Sequence, residues 1–140
     1  MQKTWVLVAD RSRARIFAIQ TPKGELHELE DLVHPEARAH ERDLTSDRPG
    51  RSSDRHALGT TNSARDQQAA AFAREIALRL DEARTQGSLE RLVLVCAPDL
   101  LGLLRKALSA PLGKLVIRTV DKNLAQQDAV AIRKLLPTFL

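Results

Sequence analysis

The sequence predicts an α/β fold: a single domain, residues 1–140, built on a mixed five-stranded sheet with helices on its faces. Three observations carry this expectation. First, Trp5-Val6-Leu7-Val8-Ala9 and Leu92–Ala97 are short, β-rich runs with almost no polar residue, as strands covered on both faces are. Second, Ala69, Phe72, Ala73, Ile76, Ala77, Leu80 and Ala83 recur at helical spacing on one face. Third, 140 residues suffice for one core of two or three layers.

The elements follow in order. After the Trp5–Ala9 strand, Asp10-Arg11-Ser12 is a polar turn, and Arg13–Ile19 is a second strand with Arg13 and Arg15 on one face at its start. Thr21-Pro22-Lys23-Gly24 has the residues of a tight turn. Glu25–Val33 alternates imperfectly, and its acids (Glu25, Glu28, Glu30, Asp31) suit an edge strand that repels other strands. Residues 34–61 show little apolar periodicity and contain Pro35, Pro49, Gly50 and Gly59. They read as a long loop, of the kind that is commonly functional or disordered. Ser63 three residues before Asp66 is a loose capping signal, placing the helix at Ser63–Gln86 with Gly87 as its stop. Pro98-Asp99 opens a helix whose apolar face is Leu100, Leu101, Leu103, Leu104, Ala107 and Leu108. Leu115–Val120 is the fifth strand, and a last helix is expected near Leu124–Leu136, before Pro137.

The order is therefore β-β-β-α-β-α-β-α: a meander followed by two β-α units. Right-handed crossovers give a sheet order of 3-2-1-4-5, with the first, fourth and fifth strands parallel. Strand direction then brings four segments to one carboxyl edge: Asp10-Arg11-Ser12, the end of the 34–61 loop, Pro98-Asp99 and Asp121-Lys122-Asn123. In open α/β sheets ligands bind at that edge.

Composition excludes several classes. An apolar fraction of 43% and a charged fraction of 29% are those of a globular domain. A single cysteine, Cys96, forms no intramolecular disulfide, and its place in an apolar strand makes it a buried thiol. No apolar run approaches the ~20 residues of a bilayer span, so membrane insertion is not expected. The Trp5–Ala9 run is too short for a secretory signal, which points to the cytoplasm. The net charge of +4 is uneven: Lys3, Arg11, Arg13, Arg15 and Lys23 enrich the start, and residues 101–140 are basic as well. Such an excess suits an acidic partner such as RNA.

Candidate chemistry is sparse. Asp10 and Asp99 end neighbouring strands, the arrangement by which ribonuclease-H-like nucleases hold Mg²⁺ or Mn²⁺, with Glu75 or Asp121 as further ligands. The competing reading is that Asp10 caps a turn and Asp99 favours a helix N-terminus. His34, His40 and His56, with Glu41 or Asp43, match no tight metal-ligand spacing. Arg48-Pro49-Gly50-Arg51-Ser52-Ser53 lacks the lysine of a phosphate-binding loop, and there is no Gly-x-Ser-x-Gly elbow. Arg11, Arg13, Arg38, Arg42, Arg48, Arg51, Arg55 and Lys122 form a candidate phosphate-binding set on the carboxyl edge. Against it stand interleaved acids, which balance the charge of residues 34–66, and the lack of an aromatic platform for bases.

Trp5–Asp10 followed by Ala14-Arg15-Ile16-Phe17, the Ser/Asp/Arg/His loop and Val120-Asp121-Lys122-Asn123-Leu124 together resemble the bacterial family named for attachment to host cells. The resemblance covers nearly the whole chain and implies a role in bacterial adhesion. More distantly, the topology is similar to the middle domain of archaeal and eukaryotic peptide-chain release factors. There a Gly-Gly-Gln loop before the long helix promotes peptidyl-tRNA hydrolysis. The matching stretch here is Gly59-Thr60-Thr61-Asn62-Ser63-Ala64-Arg65-Asp66-Gln67-Gln68, without the Gly-Gly pair. The expectation is a non-enzymatic, cytoplasmic module that binds RNA or the ribosome and affects attachment indirectly. Binding is assigned to Arg11, Arg13, Arg48, Arg51, Arg55 and Lys122, with no cofactor. The other readings are a metal-dependent nuclease at Asp10 and Asp99, and a protein-interaction module in which the 34–61 loop meets a protein partner or a second copy.

Overall fold

The computed structural model describes residues 3–33, 55–138 and 140, with 55–63 described as backbone only. Five strands form one sheet in the order β3-β2-β1-β4-β5. β1 (Thr4–Ala9) lies between β2 (Arg13–Ile19), antiparallel, and β4 (Arg91–Cys96), parallel. β3 (His27–Val33) and β5 (Val116–Val120) are the edges. The order expected from the sequence holds.

Alternation along the central strands divides the core. Trp5, Leu7 and Ala9 of β1, with Leu92, Leu94 and Cys96 of β4, face one layer. That layer is helix α1 (Arg55–Thr85), through Phe72, Ile76 and Leu80, and helix α2 (Pro98–Ala107), through Leu100 and Leu104. Val6, Val8, Val93 and Val95 face the other side, where Ile132 of the short helix α4 (Ala129–Lys134) packs with Leu124, Leu136 and Leu140. One-turn helix α3 (Ala110–Gly113) joins α2 to β5, and its N-cap Ser109 also donates to Asp81 of α1 at 3.0 Å.

Two arginines fasten the C-terminal segment. Arg15, buried on β2, makes a two-pronged bond to Glu28 at 3.0 Å per oxygen and donates to the carbonyls of Ala125 and Gln127. Its guanidinium also lies 5.1 Å from the Phe17 ring centre. Arg133 of α4 donates to the carbonyls of Gly24, Pro22, Pro137 and Thr138 at 2.8–3.1 Å, tying the β2–β3 turn to the chain end.

Three boundaries differ from expectation. α1 begins at Arg55 rather than Ser63, so Ser63 and Asp66 lie inside the helix and the segment 55–61 is not loop. Residues 34–54 of the expected loop lie outside the described residues. The last helix spans only Ala129–Lys134, because Asp128 caps it by accepting from Ala131 N at 2.8 Å. β3 starts at His27 rather than Glu25 and carries a bulge: Ile16 pairs with Glu30 and Phe17 with Glu28, leaving Leu29 unpaired. Gly87, at φ 77°, ends α1 as expected. Ser88 N bonds to Ala83 O and Gly87 N to Arg84 O, the paired closure that needs a left-handed residue.

Candidate functional site

Strand β1 ends at Asp10, whose Oδ1 accepts from Ser12 N (2.9 Å), Ser12 Oγ (3.1 Å) and Arg13 N (2.9 Å). Three donors on one oxygen fix the β1–β2 turn, because a short acidic side chain can mimic a backbone acceptor two residues back. The turn holds Arg11 over the carboxyl edge. Its Nε donates to Asp99 Oδ2 at 2.6 Å and its Nη1 to Asp66 Oδ1 at 3.1 Å. One guanidinium thus joins the turn to the middle of α1 and to the first turn of α2. Burial lowers the Arg11 pKa, but the bonds to Asp99 and Asp66 outweigh it and leave the pKa raised. Asp99 uses its other oxygen to accept from Leu100 N at 2.9 Å, near the positive end of α2.

The described residues include Asp10, Asp99, Arg11, Arg13, Arg55 and Lys122 of the predicted site. Asp10 and Asp99 are both at the carboxyl edge, in structural bonds. A divalent cation between them would have to displace the Arg11 guanidinium from Asp99, whose other oxygen already accepts from Leu100 N, so Asp99 is a poor fit to Mg²⁺ or Mn²⁺. Glu75 is exposed on α1. Among the described residues, no three His, Cys, Asp or Glu side chains gather as a metal set. Arg13 forms a two-pronged bond to Asp31 of β3 (3.0 and 2.7 Å), which lowers the Asp31 pKa through its hydrogen bonds, against a smaller effect of burial. Arg55 lies in the first turn of α1, and Lys122 is exposed just after β5. Arg38, Arg42, Arg48 and Arg51 lie outside the described residues, as do His34, His40, Glu41 and Asp43.

Two features escaped the sequence reading. Asp66 is a tertiary partner of Arg11 rather than part of a helix cap. The second is the reach of α1. Asp66 is level with the carboxyl edge through Arg11, whereas Gly87 is at the opposite edge, where Lys3 Nζ donates to its carbonyl at 2.9 Å. The helix therefore runs down the sheet from Asp66, and residues 55–65 continue it past the edge by about 16 Å at 1.5 Å per residue. That arm contains Arg55, His56 and Arg65 and no Asp or Glu.

Among the described residues, no helix is long and apolar enough to cross a membrane. A family model described as "Protein required for attachment to host cells" matches residues 5–136. No curated protein matches the sequence. Two solved structures share the outline remotely. The archaeal translation termination factor aRF1 has 13% identity and a TM-score of 0.49, over 97% of this chain and 35% of its own. The Ppx/GppA phosphatase of Aquifex aeolicus has 12% identity and a TM-score of 0.39, over 86% of this chain and 36% of its own. This chain thus spans about a third of the length of either structure, and what those proteins do does not carry over to it. With its family match spanning nearly every residue from Trp5 to the end of the last helix, the chain belongs to the family of proteins required for attachment to host cells.

Proposed function

We propose that this family member is a non-enzymatic RNA-binding module that engages structured RNA, such as that of the ribosome, and affects host attachment indirectly from the cytoplasm. The observation that carries this reading is the α1 arm. Residues 55–65 pass the carboxyl edge with Arg55 and Arg65 and no acid, while Lys122 is exposed on the same edge. Cations on a projecting helix and a sheet edge suit a phosphate backbone, which binds mainly by charge. Arg11 adds a guanidinium that is now shared between Asp66 and Asp99, both more than a third exposed. An RNA phosphate is a two-pronged acceptor able to take their place.

Sedimentation of cell lysate through a sucrose gradient at low salt, with ribosomes intact, tests the reading. The protein is expected to travel with ribosomal particles and to move to the top of the gradient after ribonuclease treatment. Protein that stays wholly at the top in untreated lysate refutes it.

A further inference from the structure

At the sheet edge opposite the α1 arm there is a cleft of about 480 Å³, open to solvent and walled mainly by Trp5, Ala18, Ile19 and Leu29, with Lys3 and Ser88 at its rim. Its shape follows from three local causes. α1 packs on Trp5 but stops at Thr85, beside the start of β1 and the end of β2. Ala18, opposite Trp5 in the register, is too small to fill the space beside the indole. The β3 bulge frees Leu29 from strand alternation and re-aims it into the wall, leaving it 47% exposed. An apolar cleft of this volume, with a few polar groups at its mouth, is within the size range of small-molecule sites.

The charges at the mouth select the ligand. Lys3 Nζ donates to the Gly87 carbonyl at 2.9 Å, a neutral partner that leaves the ammonium two further donors and its full charge. Glu90 is bound to the Lys3 backbone N–H at 2.9 Å. Arg79 lies 5.7 Å from the Trp5 ring centre and is paired with Glu30 at 2.6 Å. Among the described residues that line the cleft, Lys3 is therefore the cation able to receive an anion. We propose that this cleft binds a small amphiphile with an apolar body against Trp5 and Leu29 and a carboxylate head on Lys3.

Trp5 is the sole tryptophan, so intrinsic fluorescence reads the cleft directly. The purified protein is titrated at low ionic strength with octanoate, octanol and octyltrimethylammonium, with far-UV circular dichroism recorded in parallel. Octanoate is expected to give a saturable change at the lowest concentration, octanol at a higher one, and the cation none. Lys3→Gln is expected to weaken octanoate by roughly fivefold, the scale of an exposed ion pair, and to leave octanol unchanged. Leu29→Ala, at an exposed position, is expected to weaken both. Equal responses to the three probes, an unsaturable response, loss of the dichroism signal in step with the fluorescence, or octanoate binding unaffected by Lys3→Gln would overturn the proposal.

Discussion

Arg11 Nε lies 2.6 Å from Asp99 Oδ2, so the guanidinium that the β1–β2 turn lifts over the carboxyl edge is held by the first turn of α2. Its second bond, to Asp66 at 3.1 Å, adds α1. All three side chains are 38–68% exposed, and exposed pairs of this kind contribute about 1 kcal/mol or less. Asp66→Asn is therefore expected to leave the urea midpoint almost unchanged. If Arg11 contacts phosphate, the same substitution raises RNA affinity by roughly two- to fivefold, because one competitor is gone. That gain is expected to vanish in the Arg11→Gln background, whereas neutralising exposed Glu75 leaves the coupling untouched. A gain of the same size with and without Arg11 would show a general charge effect instead.

Arg15 is a buried polar fastening between the sheet and the C-terminal segment. Buried, it bonds Glu28 and the Ala125 and Gln127 carbonyls. Arg15→Met keeps much of the volume but leaves these acceptors without their donor. The expected loss is about 2–4 kcal/mol of unfolding free energy, read from urea denaturation. Loss below about 1 kcal/mol would show that the C-terminal segment holds without it.

The Arg13–Asp31 pair predicts an acid-side dependence. Hydrogen bonds from Arg13 hold the Asp31 carboxyl below its ordinary 3.8 in the folded chain. The unfolded chain thus binds the proton more readily. The stabilisation is present above about pH 4 and disappears as pH falls through the folded value. Asp31 is 38% exposed, so the effect is about 1 kcal/mol or less after screening. Unfolding measured between pH 6 and 3 is expected to show this component in the wild type and not in Asp31→Asn.

Burial pushes the Cys96 thiol up to about 12. Near pH 8 only about one native thiol in ten thousand is then ionised, against about a fifth for an ordinary cysteine. A thiol-specific disulfide reagent is expected to label the native protein at least ~1,000-fold more slowly than the urea-unfolded chain. Comparable rates would place Cys96 at the surface.

Much of the fold was legible because it depends on local pattern. The all-apolar β1 and β4 runs, the α1 stripe from Ala69 to Ala83 and the Gly87 stop all lie where periodicity puts them. The start of α1 was not legible: Gly59, Thr60, Thr61 and Asn62 are weak helix formers, so propensity favoured a later start at Ser63. The acids of β3 suit the edge position that the strand holds, and Glu28, Glu30 and Asp31 also pair with Arg15, Arg79 and Arg13. Those pairings depend on the β2–β3 register and on α1 crossing the sheet, which spacing along the chain does not encode. The convergence of Asp10, Asp66 and Asp99 follows from topology. That Arg11 bridges two of them follows from a turn geometry set by a single oxygen of Asp10.

On the proposed reading, the α1 arm carries cations to an RNA backbone. Filter binding of ribosomal RNA across a salt series, for the wild type and for Arg55→Gln/Arg65→Gln, measures this. Wild-type binding is expected to weaken steeply with salt. The double variant is expected to bind less tightly, with its log–log salt slope shallower by about 1.5–2. No wild-type binding at low salt, or an unchanged slope in the double variant, would contradict it.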